Sequence, residues 1–148
     1  MSSRSDTNIR EGVAPYLQPD EPVITALIAS VRGHQQAMTG GAAGSFGASR
    51  AGRARTAAAG AGIELAAFMA FVLTPTRLVV VETGNFGKVK RLLNQFDLAE
   101  VGKMTVKRLG LGASVTLPVR GTDLRLESRV GASRAFAGAL ETARAARA

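Results

Sequence analysis

The chain has 148 residues, 46% of them apolar and 20% charged, the balance of a folded domain with enough core to need no metal or disulfide. Cysteine and tryptophan are absent and His34 is the only histidine, which excludes disulfide scaffolds, thiolate zinc sites, iron–sulfur clusters and cysteine nucleophiles. The formal charge of +8 is uneven: residues 75–148 carry thirteen Lys/Arg against six Asp/Glu, whereas residues 1–74 carry six against five. Such a basic half suits an anionic surface, a phosphate-rich polymer or an acidic protein partner.

Residues 1–20 read as an N-terminal tail and short helix. Asp6 can cap a segment in which Ile9, Val13 and Tyr16/Leu17 fall at helical spacing, and Pro15 and Pro19 end it. No apolar run of signal-peptide type follows a basic start, so a cytoplasmic protein, at most peripheral to the membrane, is expected. Val23–Val31 is rich in β-branched and aliphatic residues and predicts a strand.

Residues 33–62 contain eight glycines and ten alanines. With few large side chains to bury, the segment predicts a long Gly/Ala-rich loop over Gly33–Gly47 and a loose helix over Ala48–Ala59, weakened by Gly52. Ala57–Leu73 is the one membrane-spanning candidate. It is 17 residues long where about 20 are needed, and Glu64 lies near its middle. An acid there costs on the order of 3 kcal/mol on insertion scales, so spanning is the alternative reading, in which this segment and the basic half attach the protein to a membrane.

From Leu65 onward short strands follow one another. Leu65–Leu73 and Arg77–Glu82 flank the Thr74-Pro75-Thr76 turn, and Lys88–Leu93 follows the Gly84–Gly87 turn. A strand over Lys103–Leu109 alternates polar and apolar residues, as do strands around Val115–Val119 and Leu124–Leu126. Pro118 places its strand at an edge or marks its end. Residues 131–148 predict a terminal helix with Ala132, Phe136, Leu140 and Ala143 on one apolar stripe. Phe136 and Leu140 are its large anchors, and Arg144 lies off the stripe.

The order of these elements resembles the pleckstrin-homology-like fold. The run Phe71-Val72-Leu73-Thr74-Pro75-Thr76-Arg77-Leu78-Val79-Val80-Val81 is similar to the Leu-Thr-x-x-Arg-Leu hairpin of bacterial PH-like and GRAM-like domains. Arg91–Val101 is similar to the strand and connection that follow it there. Leu17-Gln18-Pro19-Asp20-Glu21 is similar to that family's Leu-x-Pro-Gly-Glu, with Asp20 in place of glycine. The resemblance covers residues 17–31 and 65–148. It implies a single mainly β domain, a seven-stranded antiparallel barrel or sandwich capped by the C-terminal helix, and a non-catalytic binding or protein-interaction module. Related domains that bind phosphoinositides place basic residues around the first loop, which points to Arg32, Arg53 and Arg55.

Catalytic constellations are missing from the sequence. His34 borders the Gly-rich segment with no second histidine for a metal site, and reads as a solvated loop residue. The carboxylates are scattered, and neither Gly84–Lys88 nor Gly60–Leu65 completes a phosphate-binding loop. No enzyme activity, cofactor or metal is expected. Specific nucleic-acid binding is disfavoured because, of the seven aromatic residues, Phe68, Phe71 and Phe136 fall on apparent core positions, and Phe86 and Phe96, read as exposed, are too few for a stacking platform. Arg77 is the remaining candidate site residue. Its turn chemistry argues first for a structural pair with Thr74, in which Arg77 satisfies carbonyls or meets an acid.

Overall fold

A computed structural model describes residues 4–33 and 41–147; His34 lies outside them. In chain order it contains α1 (Arg4–Val13), β1 (Thr25–Val31), α2 (Gly41–Gly60), β2 (Met69–Leu73), β3 (Arg77–Thr83), β4 (Val89–Asp97), β5 (Thr105–Leu109), β6 (Gly112–Val119), β7 (Thr122–Arg129) and α3 (Val130–Arg147). Short 3-10 turns follow α1 and flank β4. The seven strands are antiparallel and run β4-β3-β2-β1-β7-β6-β5, so the first strand lies between two meanders. Seven antiparallel strands, a short N-terminal helix and a C-terminal helix are the mainly β arrangement expected from the sequence.

Alternation decides which side chains face inward. In β6, Ala113, Val115, Leu117 and Val119 are buried while Ser114, Thr116 and Pro118 are only partly so. Leu124 and Leu126 of β7 and Leu27, Ala29 and Val31 of β1 share the same core with Phe71, Leu78 and Val80. One apolar cluster therefore joins the two meanders face to face. Phe136, Leu140 and Ala143 of α3 enter that cluster and close it, as their spacing predicts. On the opposite face of β1–β3, Ile9 and Val13 of α1 cover Ala70, Val72, Val79 and Val81 in a second, smaller cluster.

Four expectations need correction. The loop expected over Gly33–Gly47 is helix from Gly41 onward, where α2 begins, and its residues 34–40 lie outside the described residues. Ala54 and Ala58 are buried in the main core, and this docking supplies the stability that a Gly-containing sequence lacks by itself. The spanning alternative for residues 57–73 fails: the segment divides into the last turn of α2, a connector and β2, whose residues are all buried within the sheet. Among the described residues no helix is long and apolar enough to cross a membrane.

The aromatic assignments exchange places. Phe68 is 47% exposed, whereas Phe96 is buried in the core. Pro118 does not mark an edge strand, since β6 pairs with both β5 and β7. It sits beyond the last residue paired with β5, and its carbonyl accepts from the Gly102 N–H at 2.8 Å. The missing proline N–H therefore breaks no ladder bond on that side.

Candidate functional site

Where β1 ends, the chain must pass α2 closely. Gly33 takes φ +94°, and a Cβ there would stand 2.5 Å from the Gly47 carbonyl oxygen and 2.9 Å from the Arg50 Cβ. Only glycine permits this approach. The Gly33 N–H donates to the Glu127 carboxylate of β7, and the Arg32 N–H donates to the Arg125 carbonyl at 3.0 Å. These contacts bring the end of β1, the middle of α2 and the outer face of β7 together.

A depression of about 380 Å³ opens between them, lined by Arg32, Arg50, Arg53, Ala54, Ala57, Asp123 and Arg125. Arg50 and Arg53 are three residues apart on α2 and so share a helix face, while Ala54 and Ala57 leave the floor open. Asp123 and Arg125 alternate outward from β7, on either side of buried Leu124. Arg32 and Arg50 are partly buried, whereas Arg53 and Arg125 are exposed. The Arg32 Nη2 donates to the Val115 carbonyl at 3.0 Å and the Thr116 hydroxyl at 3.2 Å, and its buried Nε has no partner among the described residues.

The local charge is unbalanced. Burial lowers the Arg32 pKa below its ordinary value, and the neighbouring Arg125 and Arg50 lower it further, against a smaller opposing effect of Glu127. None of the seven ion pairs among the described residues includes Arg32, Arg50, Arg53, Arg125 or Asp123. Four arginines and one aspartate thus line a small concave surface, with the Glu127 carboxylate close to Arg32. An oxyanion entering it would meet donors in a fixed fork geometry and relieve the repulsion among them. No three His, Asp or Glu residues among those described converge to hold a metal.

The structure brings two of the sequence candidates, Arg32 and Arg53, to this depression and adds Arg50 and Arg125. Arg55 is exposed and absent from the lining. Two residues along a helix from Arg53, it projects about 200° around the axis. A pair of arginines at helical spacing could have singled out Arg50. Arg125 carried no local signal beyond its outward position in an alternating strand.

Arg77 lies elsewhere and is fully engaged. Its Nε and Nη2 grip the Glu21 carboxylate at 2.8 and 2.7 Å, Nη2 also reaches the Tyr16 carbonyl at 2.7 Å, and Nη1 donates to Gln95. Thr74 is wholly buried; its hydroxyl donates to Glu21 at 2.8 Å and accepts from the Arg77 N–H at 3.1 Å. The two sequence motifs at Leu17–Glu21 and Leu73–Leu78 therefore meet in one clamp that fastens the N-terminal segment to the β2–β3 turn. The Arg77 side chain beside Glu21 holds that carboxyl at a pKa of about 2, against partial burial; the Gln18 N–H and the Thr74 hydroxyl contribute in the same direction. A small cleft of about 160 Å³ beside it is lined by Thr76, Arg77, Gln95, Phe96 and Asp97.

Comparison with protein-family models gives no match. Comparison with curated proteins likewise gives none. Among solved structures, the chain is similar to a pleckstrin homology domain from Shewanella amazonensis SB2B, with 16% identity and a TM-score of 0.44 over 88% of this chain and 87% of that one.

Proposed function

We propose that the protein is a non-catalytic binding module whose ligand presents a phosphate-type oxyanion to the depression between β1, α2 and β7. The observation that carries this reading is the set of Arg32, Arg50, Arg53 and Arg125, without an ion pair among the described residues, around one concave surface. Arg32 supports it further, because its buried Nε has no acceptor among the described residues while its Nη2 is already placed. Asp123 at the rim disfavours a ligand of diffuse negative charge and favours one that also carries a hydroxyl or amine donor. The dispersed carboxylates and the single histidine supply no acid–base pair for a reaction at this place.

Calorimetric titration with inorganic pyrophosphate tests the reading, with glucose 6-phosphate as a second probe that carries hydroxyl donors. Both should bind, more weakly as salt rises. Arg53→Ala/Arg125→Ala removes two exposed side chains, so it should leave the melting temperature near that of the parent and weaken binding at least about tenfold. Equal affinity of parent and double variant for both probes would refute the assignment.

A further inference from the structure

The β5–β6 hairpin turns through two residues, Gly110 and Leu111, between the paired Leu109 and Gly112. Gly110 takes φ +58°, the conformation a tight hairpin asks of its first central residue. The second central position normally holds a polar residue or glycine. Here it holds a leucine that is 96% exposed, beside Leu109 at 56%. Nothing in the turn geometry calls for these two side chains; Leu111 is almost fully in solvent and Leu109 is only half covered by the domain.

Their surroundings are cationic. Lys107 and Arg108 precede the tip, and the Arg108 Nε donates to the Gly110 carbonyl at 3.3 Å, which holds that guanidinium beside the turn. Arg129 is paired with Gly112 at the same end of the sheet. No Asp or Glu occurs between Glu100 and Asp123. Ile28, 42% exposed, joins this end of the sheet, its carbonyl accepting from Ser128 Oγ at 2.6 Å.

We propose that this hairpin tip inserts into the interfacial region of an anionic lipid bilayer, with Leu109 and Leu111 entering the acyl boundary and Lys107, Arg108 and Arg129 meeting lipid phosphates. An apolar point inside a cationic collar complements such a surface in both chemistry and charge. A protein partner would need an apolar area of several hundred Å² per side, and two leucines on a tight turn do not offer it. The proposal is independent of the oxyanion site: Arg125 lies four residues along β7 from Arg129, about 14 Å at strand spacing.

The chain contains no tryptophan, so Leu111→Trp introduces a single fluorescent reporter at the tip. Mixed with vesicles of 70% phosphatidylcholine and 30% phosphatidylserine, its emission should shift to the blue and be quenched by brominated acyl chains. Vesicles of pure phosphatidylcholine should give no shift. In flotation with the anionic vesicles, Leu109→Ser/Leu111→Ser should bind at least about tenfold more weakly than the parent, with an unchanged melting temperature. Lys107→Ala/Arg108→Ala should bind more weakly and lose most of the salt dependence. Reporter emission that anionic vesicles leave unchanged, or flotation of the double-serine variant equal to the parent, overturns the proposal.

Discussion

The clamp between Glu21 and Arg77 makes a quantitative statement about stability and pH. The Glu21 side chain is 6% exposed and Arg77 is 20% exposed, so solvent screening of the pair is slight. The Glu21 carboxyl titrates at about 2 in the folded protein against an ordinary 4.5. At about 1.4 kcal/mol per pH unit, that difference is worth about 3 kcal/mol of folding free energy. Because the folded-state value is the lower one, the contribution is complete above pH 4.5 and disappears as pH falls towards 2. By pH 3 this one group should account for the loss of about 2 kcal/mol. Urea unfolding of the parent and of Glu21→Gln at half-unit steps from pH 7 to 2.5 measures it. The parent curve should fall more steeply below pH 5 than that of the variant, and the two should converge at the acid end. Parallel profiles over the whole range would refute the reasoning, since they would mean that the carboxylate gains nothing from its arginine.

Phe136→Ala should destabilise by about 3–5 kcal/mol, because the ring is 1% exposed in the closed core. Arg144→Ala, which removes only a pair with Glu141 on the same helix, should stay within about 0.5 kcal/mol. Equal melting temperatures for the two variants would contradict the capping role of α3. Gly33→Ala places a Cβ against α2 in a backbone region that L-residues rarely adopt, and should cost about 1–3 kcal/mol in urea unfolding. It should also weaken pyrophosphate binding by displacing Arg50; a variant with parental stability and affinity would show that the approach of α2 to Gly33 is not close in solution.

The strands that could be read from the sequence are those with one wet face. Ser114, Thr116 and Pro118 alternating with Val115, Leu117 and Val119 announced β6, and the stripe through Phe136 and Leu140 announced α3, because in each a period is imposed by burial on one side only. The beginning of α2 gave no such period. Gly41, Gly44 and Gly47 oppose a helix locally, and its stability comes from Ala54 and Ala58 meeting residues far away in the chain. Phe68 belongs to an apolar run that the sequence extends back to Leu65, but the chain bends there and β2 begins only at Met69; Phe96, next to last in β4, has no following alternation to fix its face. The candidate site was half legible. Arg32 and Arg53 flank the first connection in sequence, whereas Arg125 joins them only through the pairing of β1 with β7.

That pairing also sets the order in which the chain can fold. The β1–β4 and β5–β7 meanders are each built from neighbouring segments joined by short turns, apart from the excursion through α2. Along the sheet they are joined at Ser30 with Glu127 and Val31 with Leu126, continued by the Arg32 N–H to the Arg125 carbonyl and reinforced by a Ser128–Ile28 hydrogen bond that spans 100 residues. During synthesis, β1 therefore stands with one edge unsatisfied until β7 has left the ribosome. Closure across this seam is the event that encloses the main core, and its long loop makes it the slow one. The same seam carries Arg32 and Arg125 into place, so a chain interrupted before residue 122 would hold a partial sheet and lack Asp123 and Arg125 from the depression.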